Sequence, residues 1–399
     1  MTSSKQIIAV TEKFGARNYH PLPVVLSRGE GVWLYDVEGN RYLDFLSAYS
    51  AVNQGHRHPR IMAALVEQAG RLTLTSRAFH NDQLGPFLQE VCQLADMEMA
   101  LPMNTGAEAV ETAIKAARKW GYQEKGVAAD RAQIICCRDN FHGRTTTVIS
   151  FSSEQQYREG FGPFTPGFTL VDYGDAEALE RAIGPDTVAF LVEPIQGEAG
   201  VVVPPPGYLA RVREICDRHR VLLILDEIQT GLGRTGKMFC FEHEGVRPDL
   251  LVLGKAISGG VLPVSVVLGP AEVMGVFRPG DHGSTFGGNP LGAAVAREAL
   301  RVLVEEDLPG RAARLGEYFR GRLEALVGPR VKLVRGRGLL LAVVLREDAG
   351  GARQYCEQLM QQGLLCKETH EDIIRFAPPL VIERADLDWA CERIEQVLG

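Results

Sequence analysis

The chain of 399 residues holds no apolar run approaching the roughly 20 residues needed to cross a bilayer, which argues against a membrane span. It also lacks an excess of positive charge. Fifty acidic residues stand against 43 basic ones, for a net charge of −7. A phosphate backbone as main partner demands the opposite balance, so nucleic acid is not expected. Cysteine is too sparse for a disulfide scaffold. The eight cysteines are scattered and none forms a C-x-x-C pair, so neither a stapled secreted fold nor a thiolate zinc site is expected. The opening residues lack the apolar core and cleavage site of a secretory leader. These absences together set the expectation of a cytoplasmic protein with reduced thiols. Internal repeats, low-complexity tracts and long charge runs are missing too.

What is present is a large, mostly ordinary core composition, 45% apolar and 23% charged, on a chain two to three times a common domain length. More than one lobe is expected. Residues 1–50 form a mixed segment with short strands at Val32–Tyr35 and Arg41–Leu46 around the Gly39-Asn40 turn. They are too few for a domain and are expected to pack with the C-terminal lobe. Residues 51–307 have a different pattern. Thr187–Glu193, Val221–Asp226 and Asp249–Gly254 are continuous apolar strands, and helical stretches at 107–122 and 208–220 alternate with them. That pattern means an α/β domain with a mainly parallel sheet buried on both faces. Val264–Leu268 adds a strand of either direction, and Glu111/Lys115 is read as an i,i+4 pair. Residues 308–399 alternate shorter strands and helices, which reads as a smaller α+β domain.

Ligands of parallel sheets lie beyond the carboxyl ends of the strands. Asp226 closes the most apolar strand, and Lys255 follows the next one. Asn104-Thr105-Gly106-Ala107 opens a helix, where free amides and the dipole suit an anion, and Ser284-Thr285-Phe-Gly-Gly is a second such turn. Phe141-His142-Gly143-Arg144 joins an aromatic to a guanidinium that fits a carboxylate. Glu198 and Arg375 are charges set in glycine-rich and apolar surroundings. His56 and His58 have the spacing of a metal pair but no third ligand nearby, so no metal is expected. Val221–Glu227 followed by Gly231–Lys237 imitates a P-loop nucleotide site, yet Met238 stands where a magnesium-binding hydroxyl belongs.

Five of these stretches occur in one order: Asn104-Thr-Gly-Ala-Glu-Ala, Glu193-Pro-Ile-Gln-Gly-Glu198, Asp226-Glu-Ile228-Gln229, Leu253-Gly-Lys255-Ala-Ile-Ser, and Ser284-Thr285-Phe-Gly-Gly-Asn-Pro. In that order the chain resembles the class III, fold-type I aminotransferases that use pyridoxal 5'-phosphate, along essentially its whole length. The resemblance implies a seven-stranded, mainly parallel sheet flanked by helices, with a small domain built from both chain ends. Asn18-Tyr19-His-Pro-Leu-Pro, Tyr49-Ser-Ala-Val-Asn-Gln-Gly-His and Ile373-Ile-Arg375-Phe-Ala-Pro-Pro are similar to stretches of the ornithine-using branch. At His142 the chain departs from many of those enzymes, which carry tryptophan, and shares Phe-His-Gly-Arg with acetylornithine relatives.

The resemblance also implies roles. Lys255 would bond to the cofactor aldehyde and then move the proton. Asp226 would hold the ring nitrogen protonated. Phe141 and Ile228 would cover the two ring faces, with His142 beside them. Gln229 would reach the phenolic oxygen. Thr105, Gly106 and Ala107 would cup the phosphate, Ser284 would help bind the cofactor, and Thr285 would reach the phosphate from a neighbouring subunit, which implies a homodimer or higher assembly with shared sites. Arg375 would hold the α-carboxylate of glutamate and Arg144 its side-chain carboxylate. Glu198 would cover Arg375 while ornithine reacts and release it for 2-oxoglutarate. Tyr19 would bind the ornithine head group, and Tyr49 would narrow the pocket. Acetylornithine and 4-aminobutyrate are the alternative substrates.

Overall fold

The computed structural model describes residues 3–399. Its centre is a seven-stranded sheet. In chain order its strands are β1 (Met99–Met103), β2 (Gln133–Cys137), β3 (Phe168–Val171), β4 (Thr187–Val192), β5 (Leu222–Asp226), β6 (Leu250–Leu253) and β7 (Ser265–Gly269). Their order across the sheet is β1-β7-β6-β5-β4-β2-β3. β7 is antiparallel to both neighbours and the other adjacent pairs are parallel, so the undecided Val264–Leu268 strand is the antiparallel one.

The pleat explains why the central strands are apolar on both sides. Ile134, Cys136, Ala189, Leu191 and Ile224 face the Gly106–Trp120 helix through its Val110, Ala113, Ile114 and Ala117. The alternate residues Ile135, Cys137, Phe190, Leu223 and Leu225 face the Tyr208–His219 helix through Leu209, Val212 and Ile215. Fully burying such a side chain contributes about 1.5–3 kcal/mol, which makes this sheet the rigid base of the molecule.

Two smaller sheets stand beside it. Leu26–Glu30, Trp33–Asp36 and Arg41–Asp44 form an antiparallel set, and Leu364–Leu365 adds a parallel fourth strand beside Arg41–Asp44. The chain's two ends therefore share one sheet. Val331–Arg337, Leu340–Leu345, Ile373–Phe376 and Lys367–Thr369 make the third sheet, in that spatial order. The partition proposed at residue 307 falls at a left-handed Asp307 (φ 47°) between the helices Pro290–Glu305 and Leu308–Glu324. One apolar cluster runs across that point and includes Val302, Leu303, Leu308 and Phe319.

One sequence reading needs correction. Glu111 and Lys115 do not pair. Glu111 accepts from the Thr145 hydroxyl (2.6 Å), and Lys115 donates to the Asp281 carbonyl and to His282 Nδ1. Each finds a better partner off the helix than an exposed i,i+4 pair would offer. The Gly231–Lys237 stretch, already read as no more than an imitation of a P-loop, is a packed turn. Arg234 is fully buried in it and donates to the carbonyls of Leu339 (2.9 Å) and Pro378 (2.6 Å) and to Asn53 Oδ1 (2.6 Å). The loop is a packed junction, with Gly233 and Gly236 lying against Pro309 and Ala313. The preceding Glu227 accepts from the backbone N–H groups of Cys240 (2.6 Å) and Phe241 (2.8 Å), so it too is spent on structure. His56 and His58 each take a separate carboxylate, Asp44 (2.7 Å) and Glu306 (3.1 Å).

Candidate active site

The parallel strands deliver charge to one end of the sheet. β5 stops at Asp226, β6 leads through Gly254 to Lys255, and β4 leads to Glu193. Lys255 itself has a left-handed backbone (φ 45°), rare for a residue with a Cβ and costly enough to mark a site held in place by its surroundings. A cavity of about 210 Å³ opens there, with Lys255, Asp226, His142 and Glu193 among its walls. Phe141 and Ile228 supply its flat apolar walls, and Gly106, Ala107, Gly143, Glu198 and Gln229 complete the lining. A second cavity of about 310 Å³ shares Gly106 and Lys255 with it as lining and is bordered by Thr105, Ala48 and Ser258.

The floor is a buried polar chain. His142 Nδ1 lies 2.7 Å from Asp226 Oδ2, with neither side chain more than 4% exposed. Burial opposes charge on the imidazole, but the hydrogen bond and charge of Asp226, helped by Glu193, outweigh it and raise its pKa above the ordinary value. Glu193 accepts from the N–H groups of Phe141 (2.9 Å) and Gly197 (3.2 Å), and burial pushes its carboxyl up to about 7. Burial likewise pulls the Lys255 ammonium down, even against the pull of Glu198. A buried lysine with a depressed pKa is a nucleophile and a base in waiting.

The wall opposite is an ion pair. In the strand Ile373–Phe376 the pleat turns Ile374 and Phe376 into the C-terminal core, and Ile373 and Arg375 toward the Ile195–Val201 segment. Arg375 Nη1 reaches Glu198 Oε1 at 2.6 Å. Gln229 Nε2 donates to the same oxygen at 3.1 Å. Burial works to raise the Glu198 carboxyl, yet Arg375 and Lys255 pull it down to about 2. The Tyr49 ring covers the guanidinium, whose carbon lies 5.1 Å from the ring centroid. Tyr49 sits in a left-handed turn, at about 1–2 kcal/mol per residue of backbone cost.

The helix start is capped by its own side chains. The Thr105 hydroxyl caps the Glu108 N–H (3.2 Å), and Glu108 accepts from the N–H groups of Thr105 and Asn104. The N–H groups of Gly106 and Ala107 belong to the first turn and have no intrahelical acceptor. A Cβ on Gly106 would meet Ile228 at 2.9 Å, and one on Gly197 would meet Gln229 Oε1 at 1.4 Å, so both glycines admit their neighbours.

Other expected residues lie outside the cavity. Arg144 is exposed and stacks on Tyr157, 4.6 Å from its centroid, with Phe141 next to it. Tyr19 is 70% exposed. Thr285 is exposed, while Ser284 Oγ accepts from Asn104 Nδ2 (2.8 Å) in its own chain. Glu193 is the lining residue to which no role was given; a carboxylate at the end of a wholly apolar strand, as at Asp226, was its signal.

A flat, phosphate-bearing aldehyde with a basic ring nitrogen suits this donor set. His142 Nε2 and Gln229 Oε1 are buried, with no hydrogen-bond partner among the described residues, and both belong to the cavity lining. An amine, a carboxylate and a helix start converge there between two apolar walls. The sequence profile described as Aminotransferase class-III matches residues 14–398. The chain belongs to the class-III aminotransferase family. Class-III aminotransferases depend on pyridoxal 5'-phosphate, and the cavity of this one has the walls to hold it. Among curated class-III relatives, ornithine aminotransferases from Geobacillus sp. (strain WCH70) and Bacillus subtilis (strain 168) are 59% and 58% identical. The first alignment covers 100% of both chains, the second 100% of this chain and 98% of the relative. The solved ornithine aminotransferase of Toxoplasma gondii superposes with a TM-score of 0.98 at 48% identity, covering 100% of this chain and 95% of that one. An acetylornithine aminotransferase from Elizabethkingia anophelis reaches 0.91 at 50% identity, covering 100% and 99%.

Proposed function

We propose that the protein transfers the δ-amino group of L-ornithine to 2-oxoglutarate. The products are L-glutamate and L-glutamate 5-semialdehyde, which cyclises to pyrroline-5-carboxylate. The observation that carries this reading is the Glu198–Arg375 pair at 2.6 Å inside the lysine-bearing site. An uncovered Arg375 would take the α-carboxylate of any amino acid and present its α-amine. Covered by Glu198, it leaves a neutral wall past which a terminal amine is the end that enters. A partly exposed pair is worth little net free energy, so a substrate carboxylate competes for the guanidinium.

Pyridoxal 5'-phosphate, when bound, supplies the carbon that carries the amino group and a ring that draws electrons from the reacting substrate bond. The chain does the rest. The Lys255 amine, whose charged form burial disfavours, is placed to take a proton from the substrate carbon and would return it on the cofactor side once the cofactor is bound. Asp226, fixed by His142, would pair with the ring nitrogen of the bound cofactor and favour its protonated form. Gly106 and Ala107 N–H groups would hold the phosphate, Phe141 and Ile228 would hold the ring, and Gln229 would reach its phenolic oxygen. Arg144 swings from Tyr157 to the far carboxylate of glutamate, and Tyr19 takes the ornithine head group. We infer further a cytoplasmic homodimer in which Thr285 completes the partner's phosphate site.

Incubation of the cofactor-loaded protein with ornithine and 2-oxoglutarate tests the reading. The expected product is trapped by o-aminobenzaldehyde as the yellow pyrroline adduct. A second reading, N-acetylornithine as donor, draws on the Phe141-His142-Gly143-Arg144 stretch, and its acyclic product leaves that assay colourless.

A further inference from the structure

Four consecutive residues that carry a Cβ, Ser47 to Ser50, have φ values of 50°, 46°, 61° and 72°. L-residues do not hold a left-handed turn unaided, so something nearby imposes it. That something is Asp44, 3% exposed at the end of its strand. Its Oδ1 accepts from the N–H groups of Leu46 (2.8 Å) and Ser47 (2.9 Å). Its Oδ2 is held at 2.7 Å by His56 Nε2. His56 is pinned in turn by two backbone bonds with Gly31 (2.7 and 3.0 Å). The turn is also tied to the strand that carries Arg375. Ser47 Oγ donates to the Ala377 carbonyl (2.7 Å), and the Ala377 N–H donates to the Phe45 carbonyl (2.7 Å). The result of this framework is the Tyr49 ring over Arg375.

We propose that Asp44, locked by His56, is a positioning residue that sets Tyr49 over Arg375 and so governs which end of a substrate the site accepts. The inference rests on the ornithine reading above. Without the carboxylate the turn relaxes, the ring leaves the guanidinium, and Arg375 opens to α-carboxylates.

The test uses the cofactor-loaded enzyme and its two half-reactions, followed by cofactor absorbance with ornithine and with glutamate. For Asp44→Ala the ratio of kcat/KM for ornithine to that for glutamate falls about tenfold or more, while kcat with glutamate stays within about threefold. Glutarate, an unreactive dicarboxylate, binds about threefold tighter by calorimetry, because Arg375 is uncovered. Asp44→Asn keeps an oxygen for both N–H groups and restores most of the ratio. Adding Asp44→Ala to Tyr49→Leu lowers the ratio no further, because both act through one ring. If Asp44→Ala fails to fold, His56→Gln carries the same measurement, with a drop of about threefold. Equal loss in both half-reactions, an unmoved ratio, or independent effects of Asp44 and Tyr49 overturns the inference alone. A wild-type enzyme inert toward ornithine overturns it together with the functional reading.

Discussion

The floor and the wall of the cavity hold acidic groups in opposite ways. On the floor, Asp226 is met by a buried imidazole at the end of a strand with no freedom to move. On the wall, Glu198 meets an arginine across a gap between two sheets, and its side chain is 25% exposed. The first arrangement fixes a charge for every turnover. The second makes a charge that another carboxylate replaces. A site that must treat two substrates differently needs both kinds, and it takes the exchangeable one from the junction between chain segments.

This contrast is open to attack. The largest effect belongs to the floor: Asp226→Asn removes a fixed charge and slows both half-reactions alike, by about 10²–10³-fold in single turnovers. A selective loss for one substrate would erase the distinction between floor and wall. Arg375→Ala comes next. It raises KM for 2-oxoglutarate by about 10–100-fold, the 1.5–3 kcal/mol of a charge-assisted hydrogen bond, and leaves the ornithine half-reaction nearly untouched. The smallest effect is on acid stability. The Glu198 carboxyl stands at about 2 against an ordinary 4.5, so its pairing stabilises the fold fully above pH 4.5 and is lost as pH falls from 4.5 toward 2. Glu198→Gln therefore shows a shallower loss of stability across that window in acid unfolding followed by circular dichroism. An identical profile for both proteins would mean the pair is absent in solution.

Much of the floor was legible in the residues, because local pattern determines it. Val221–Asp226 is apolar until its last residue, and an apolar strand that ends in a carboxylate marks the ligand edge of a parallel sheet. The edge strands were not legible: Met99–Met103 carries a proline, and Phe168–Val171 is four residues long, so neither stands out from a loop. The partners of Asp44 and Arg234 were hidden for a different reason. Their distant partners come from residues 53, 56, 339 and 378, and no periodicity along the chain reports a contact made across it. The Glu198–Arg375 pair was reached through resemblance, since 177 positions separate the two residues.

The buried guanidinium at Arg234 has a consequence for the order of assembly. Its acceptors at Asn53, Leu339 and Pro378 come from the beginning, the late middle and the end of the chain. During synthesis the cation waits for more than a hundred further residues before its pocket exists, so a polypeptide cut short before residue 378 leaves a charge stranded against apolar surroundings. The buried hydrogen-bond set around Arg234 is thereby complete only once residue 378 is in place.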